Sequence, residues 1–268
     1  MANDDAFVGS VPEYYDRGFG PVLFQGFADD IAARAAALAP RRVLETAAGT
    51  GIVTRALRGT LASPASLVAT DLNPPMLDVA KAKFAHGEMV TFQPADATAL
   101  PFADQSADLV VCQFGVMFYP DKPKSFAEVH RVLTPGGHYL FNVWDSHQHN
   151  PFGRISHAVL ERFVATDPPQ FYRVPFSLHA IDLVKEMLLD AGFADIGIAV
   201  VRLERTIEDL KYFAQATYRG NPVAEQLRER GEDPERVIAA VYEEFHAAFG
   251  ENPARLPMQA IVYSALRP

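Results

Sequence analysis

Between Arg41 and Arg131, short apolar runs rich in β-branched residues alternate with stretches whose apolar positions recur at helical spacing. VLET (43–46), SLVATD (66–71), MVTFQPAD (89–96) and DLVVCQF (108–114) read as strands. The segments IVTRALRG (52–59), PPMLDVAKAKFA (74–85) and KSFAEVHRVL (124–133) read as the helices between them. In the third, Phe126, Val129 and Leu133 share one face. TPGG (134–137) breaks the pattern and leads into a fifth strand, HYLFNVW (138–144). Strands apolar on both sides, alternating with helices, predict a parallel, doubly wound α/β sheet.

Beyond Trp144 the pattern loosens. DSHQHNPFGR (145–154) is polar and turn-rich, a helix is expected near 155–165, and Pro168, Pro169 and Pro175 punctuate an aromatic loop. IDLVKEMLLDAG (181–192) predicts a helix closed by Gly192, and IGIAVVRLE (196–204) a sixth strand. Helical patterns at 207–218 and 234–248 precede a last strand, MQAIVYSAL (258–266). The first forty residues form a prelude, read as an aromatic loop followed by an amphipathic helix, placed to fold over the carboxyl edge of the sheet.

Composition narrows the function. At 268 residues and 49% hydrophobic, the chain suits one domain with a large core. Its single cysteine, Cys112, excludes an internal disulfide and a cysteine-rich zinc site; no metal is expected. A net charge of −9, from Lys+Arg 24 against Asp+Glu 33, disfavours nucleic acid as a partner. No apolar run approaches a membrane span, and the acidic start MANDDAFVGS is unlike a signal peptide, so a cytoplasmic protein is expected.

The informative chemistry is ETAAGTG (45–51), between the first strand and its helix. Gly49 and Gly51 permit a tight turn and close backbone approach to a ligand. Thr54 stands where a dinucleotide fingerprint would have its third glycine. Acids end the first three strands: Glu45, Asp71 and Asp96. A carboxylate at the position of Asp71 can accept from both ribose hydroxyls, and one at Asp96 can take an adenine amino group. Glu45, beside backbone amides and nearly buried, suits a cationic ligand. A nucleoside that carries an ammonium and a sulfonium but no phosphate fits that sign: S-adenosyl-L-methionine.

VLETAAGTG, ATDLNPPML, ADATALPF, FGVMFYPD and RVLTPGG, in this order and spacing, resemble the class I S-adenosylmethionine-dependent methyltransferases, most closely their ubiquinone/menaquinone-biosynthesis-like (type 11) group. LLDAGFADIGIAV resembles the helix and strand before that fold's closing hairpin. The resemblance covers about 40–145 and, more weakly, 180–205. It implies a Rossmann-like seven-stranded sheet, mostly parallel with an antiparallel last strand, and a helical and aromatic cap. It further implies that Glu45 to Gly51, Ala47 and Gly49 included, hold the methionine moiety. Asp71 would take the ribose, Leu72 and Met76 would pack by the adenine, and Asp96 and Ala97 would meet its edge. Gln113 and Phe114 would flank the methyl group. Ala47 and Ala48 depart from the glycine and the cysteine or serine often found there.

One domain over 1–268 is expected: a cap segment (1–40), a cofactor-binding core (41–145), and insertions (146–180, 206–250) that cap the substrate. The function implied is methyl transfer by in-line displacement to a small molecule, apolar or aromatic. Acceptor candidates are Tyr14, Phe19, Phe24, Trp144, Phe171, Tyr172 and Phe176, with Tyr15 covering the cofactor through its ring face. His147 and His149 are candidate bases, although loop histidines are more often solvated. Two alternatives stand beside this reading: an NAD(P)-dependent oxidoreductase, and a catalytically silent cofactor-binding protein on the same fold.

Overall fold

The computed structural model describes residues 11–250 and 253–268. Its centre is a seven-stranded sheet of order β3-β2-β1-β4-β5-β7-β6. The strands are β1 (Arg42–Glu45), β2 (Ser66–Asp71), β3 (Val90–Pro94), β4 (Ala107–Gln113), β5 (Leu133–Trp144), β6 (Ala194–Ile207) and β7 (Ala254–Leu266). The β1–β2, β2–β3, β1–β4 and β4–β5 pairs are parallel, and β7 runs antiparallel to both neighbours, so β7 alone is reversed. This is the Rossmann-like sheet expected from the alternating pattern, with the last strand antiparallel.

Side-chain alternation divides the core between the two faces. Val43, Leu109, Val111 and Leu140 point to the side covered by α2 (Gln25–Ala37) and α3 (Ile52–Thr60), against Ile31, Ala35 and Leu57. Leu44, Val110, Cys112 and Phe141 point to the other side, which holds Phe126 of α5 (Lys122–Val132) and Leu188 of α7 (Ile181–Asp190). The remaining helices are α1 (Val11–Tyr14), α4 (Pro74–Lys81), α6 (Pro151–Phe163), α8 (Leu210–Arg219), α9 (Val223–Glu229) and α10 (Pro234–Phe249). Among the described residues no helix is long and apolar enough to cross a membrane.

Four local readings change. TPGG does not separate helix from strand by a free turn; it bulges within β5, where the partner of Ala107 is Leu133 but that of Leu109 is His138. Helix α4 ends at Lys81, short of the expected Ala85, because the chain turns through Ala82–Phe84. Helix α9 was not anticipated. The aromatic prelude is not a loop: Tyr15–Phe24 is a π-helix that continues into α2.

That winding has a geometric effect. Residues 15 and 24 are nine apart, which is two and a half turns at the 3.6 residues of an α-helix, so they would face opposite ways. The wider i→i+5 turn brings Tyr15, Phe19 and Phe24 onto one side. There Tyr15 stacks on Phe24 at 4.9 Å and meets Phe19 edge-on at 5.8 Å. Gly18 is required on the opposing side: a β-carbon there would collide with that of Ala216 on α8.

The glycine turn is equally constrained. Gly51 caps α3 with φ of +79°, and a β-carbon would lie 2.8 Å from that of Ala80 on α4. Gly51→Ala is therefore expected to destabilise the protein by about 2–3 kcal/mol, from backbone strain plus overpacking. A urea midpoint equal to that of the parent would show that α4 yields without cost.

Candidate functional site

Strand order reverses between β1 and β4, and the crevice beyond their carboxyl ends is where open α/β sheets bind ligands. The chain leaves β1 through a turn with left-handed residues: Ala47 (φ +52°), Gly49 (φ +56°) and Gly51. The amide of Ala48 donates to the carbonyl of Thr70, tying the turn to β2. Ala47 occupies a conformation that glycine would adopt freely. Its methyl group fits because residue 115 is glycine; a β-carbon at Gly115 would strike it.

Asp71 locks this arrangement. One carboxylate oxygen accepts from the Gly49 amide at 2.8 Å and the other from the Asn73 amide at 2.8 Å. Burial raises its pKa, and these hydrogen bonds offset part of that rise. Asp96 is more exposed and accepts from the amide and hydroxyl of Thr98 at 2.7 and 2.8 Å.

Glu45 is the anomaly. It is 1% exposed, and its Oε2 has no hydrogen-bond partner in the protein. Burial pushes its pKa up to about 8; the hydroxyl and amide of Thr54 pull it down without reaching full hydrogen-bond geometry, and the charge of Asp71 pushes it up again. A carboxylate so placed is short of a cation.

The cavity above the turn has a volume of about 800 Å³, including its solvent-facing mouth. It gathers Ala47, Gly49, Asp71, Leu72 and Met76 along one side and Asp96, Ala97, Gln113 and Phe114 along another, with Tyr15 overhead. Glu45 is not on this surface. It lines a smaller adjoining hollow that shares Tyr15, Ala47, Gly49 and Gln113 with the main one. Gly51 lines neither, and its α-carbon lies against α4. The main cavity also exposes Thr46, which lies within the Glu45 to Gly51 stretch, and Thr70, Asn73, Gly115, Phe118 and Tyr119, none of which the sequence singles out. Tyr119 lies in the quoted FYPD stretch, so its position was visible but its orientation was not.

A second cavity, about 520 Å³ including its solvent-facing mouth, adjoins the first. Tyr15, Phe114 and Phe118 belong to both. Of the acceptor candidates, Phe19, Phe24, Trp144, Phe171, Tyr172 and Phe176 line it. Phe114 lies flat on Trp144, with ring centroids 3.9 Å apart and planes within 2°. Phe114 has φ of +52° and is held there by buried Asn142, whose side-chain and backbone oxygens both accept from its amide at 3.1 Å. Among the lining residues, Tyr172 and Asn221 direct their polar groups at the carbonyl of Thr217, leaving the walls apolar.

Tyr14 stands apart from both cavities, stacked on Tyr212 with the Arg219 guanidinium over its ring. His147 and His149 do not point the same way, because a turn lies between them. The His147 ring sits behind the aromatic wall, its Nε2 2.8 Å from the carbonyl of Tyr172, and burial lowers its pKa. His149 is exposed. Neither borders either of these two cavities. Among the described residues no group of three or more histidine, cysteine or acidic side chains could hold a metal.

Known proteins agree with this geometry. A family described as a methyltransferase domain matches residues 44–141. The demethylmenaquinone methyltransferase of Thermus thermophilus is 33% identical over 167 residues, 58% of this chain and 76% of that protein. The ubiquinone/menaquinone biosynthesis C-methyltransferase of Pasteurella multocida is 30% identical over 168 residues, 58% of this chain and 63% of that one. Among solved structures, the YcgJ protein of Bacillus subtilis shares the fold with a TM-score of 0.59 at 19% identity, over 90% of this chain and 98% of its own. Phosphoethanolamine N-methyltransferase 2 of Haemonchus contortus, solved with S-adenosyl-L-methionine, superposes with a TM-score of 0.60 at 17% identity, over 96% and 56%.

The isolated Glu45 carboxyl sets a pH signature. Its folded pKa near 8 exceeds the ordinary unfolded value, so between about pH 4.5 and pH 8 the folded state holds a proton that the unfolded chain has released. Stability contributed by this group is therefore lost as pH rises through that window, and the loss is complete above it. Glu45→Gln is expected to be near neutral at pH 5 and to stabilise the ligand-free protein by on the order of 3–5 kcal/mol at pH 8.5. Denaturant titrations at the two pH values check this; an equal effect at both would mean that Glu45 is ionised throughout.

Proposed function

The chain belongs to the class I S-adenosylmethionine-dependent methyltransferases, in their ubiquinone/menaquinone-biosynthesis-like group, and from that premise we propose that it methylates a neutral aromatic small molecule seated in the apolar cavity. The supporting observation is the shared wall of Tyr15, Phe114 and Phe118, along which the two cavities meet. The cavity above the glycine turn would take the cofactor, with Asp71 and Asp96 at the nucleoside, Leu72, Met76 and Ala97 about the base, and Ala47 and Gly49 beneath the methionine end. The orphan Oε2 of Glu45 fits the cofactor's ammonium. Tyr15 and Phe114 stand where the two spaces join, beside the group to be moved, with Gln113 on the cofactor side.

When bound, the cofactor supplies a methyl group already activated by a cationic sulfur. What is left to the chain is to orient the acceptor and exclude water. Tyr15, Phe19 and Phe24 roof the junction, and Phe114 and Trp144 give it a rigid aromatic side. In this arrangement residues 41–145 carry the cofactor, while the N-terminal segment and residues 146–180 and 206–250 supply the cap. The aromatic lining of the second cavity favours a planar, uncharged ring. The names of the Thermus and Pasteurella relatives specify quinone-type acceptors, which supports a quinol-like ring here. The oxidoreductase alternative has no supporting observation: Thr54 is buried beside Glu45, and an acid there opposes a pyrophosphate.

Incubation with methyl-labelled cofactor and a panel of hydroquinones, phenols and charged amines tests the reading. Label is expected in the aromatic acceptors; label confined to charged amines would overturn the assignment of the apolar cavity. Asp71→Ala is expected to weaken S-adenosylhomocysteine binding about 30- to 1000-fold by calorimetry. An unchanged Kd in the folded variant would place the ribose elsewhere.

A further inference from the structure

Resting on the cofactor assignment above, we propose that the Thr46 hydroxyl holds the carboxylate of the cofactor's methionine end, and that the Tyr119 hydroxyl aims it. Thr46 is 1% exposed yet lines the cofactor cavity, as does Tyr119. The Tyr119 hydroxyl donates to Thr46 Oγ1 at 3.1 Å and lies 3.3 Å from Cys112 Sγ. Since the phenol proton is directed at the threonine oxygen, the threonine's own proton is left to donate. Its acceptor within the protein is the Cys112 thiol, a weak one that a carboxylate would displace. Burial holds the Tyr119 hydroxyl well above its usual pKa, so it stays protonated and keeps donating.

The direction of this chain selects the ligand group. An ammonium needs lone pairs, which the unpaired Glu45 Oε2 offers from the adjoining hollow. A carboxylate needs protons, which Thr46 offers from the main cavity. Thr70, the other threonine on that surface, is already committed, its hydroxyl donating to the carbonyl of Glu45 at 2.9 Å. Gly115 makes the chain possible: it lies against Ala47, Cys112 and Tyr119, and a side chain there would drive the three apart.

The test removes the hydroxyl from the protein and the carboxylate from the ligand in turn. S-adenosylhomocysteine is compared by calorimetry with 5′-(3-aminopropylthio)-5′-deoxyadenosine, which keeps the nucleoside, sulfur and amine but lacks the carboxylate. Thr46→Val is expected to weaken S-adenosylhomocysteine about 10- to 100-fold, as for a hydrogen bond to a charged group. It should leave the decarboxylated ligand within about twofold, and Thr46→Ser should restore the difference. Tyr119→Phe gives the same cycle from a second position, with a smaller loss, should the valine variant fail to fold. Equal losses on both ligands, or none on S-adenosylhomocysteine, would overturn the proposal. A parent protein that bound neither nucleoside would overturn the cofactor assignment instead.

Discussion

The site depends on keeping carboxylates buried around a turn that offers them too few partners. Asp71 resolves its own burial by accepting the amides of Gly49 and Asn73, and in doing so fixes the shape of the turn. Glu45 resolves nothing: it sits beneath the same turn with an oxygen unpaired, and the charge of Asp71 makes its ionisation harder still. The protein carries this unfavourable arrangement until a positive group arrives. Binding would then relieve a strain that folding created, which concentrates selectivity for a cation at one point of the sheet.

The aromatic half of the site answers a different requirement. Its rings come from distant parts of the sequence: Phe19 and Phe24 before the first strand, Phe114 after the fourth, Trp144 ending the fifth, and Phe171 to Phe176 in the insertion. Each is placed by its own backbone device, including the π-helix for the first two and the Asn142 clamp for Phe114. No one of these segments forms a pocket alone. The sheet brings them together because its strands, β7 excepted, present their carboxyl ends at one edge.

Much of this was legible in the residues. β2 occupies the expected 66–71, and Glu45 and Asp71 end their strands as expected, whereas β3 stops at Pro94 and leaves Asp96 in the loop beyond it. The misreadings share a cause: local signals overruled by tertiary packing. Gly18, Gly20 and Pro21 look like loop residues, yet the segment stays wound because its glycines allow close approach to α8 and Ile52. His147 looked solvated, but the insertion folds back and buries its ring against Phe176 at 4.4 Å. The Thr46–Tyr119 bond joins residues 73 positions apart, a relation that no sequence period encodes.

The π-helix also limits how this chain can change over generations. Loss of a single residue between Tyr15 and Phe24 would let the segment relax into the commoner winding, which has better backbone hydrogen bonding. The same deletion would turn one of the two rings out of the roof. Selection for sturdiness and selection for an intact ceiling therefore pull in opposite directions along these ten positions, and the rare winding persists only while the enclosed space is in use.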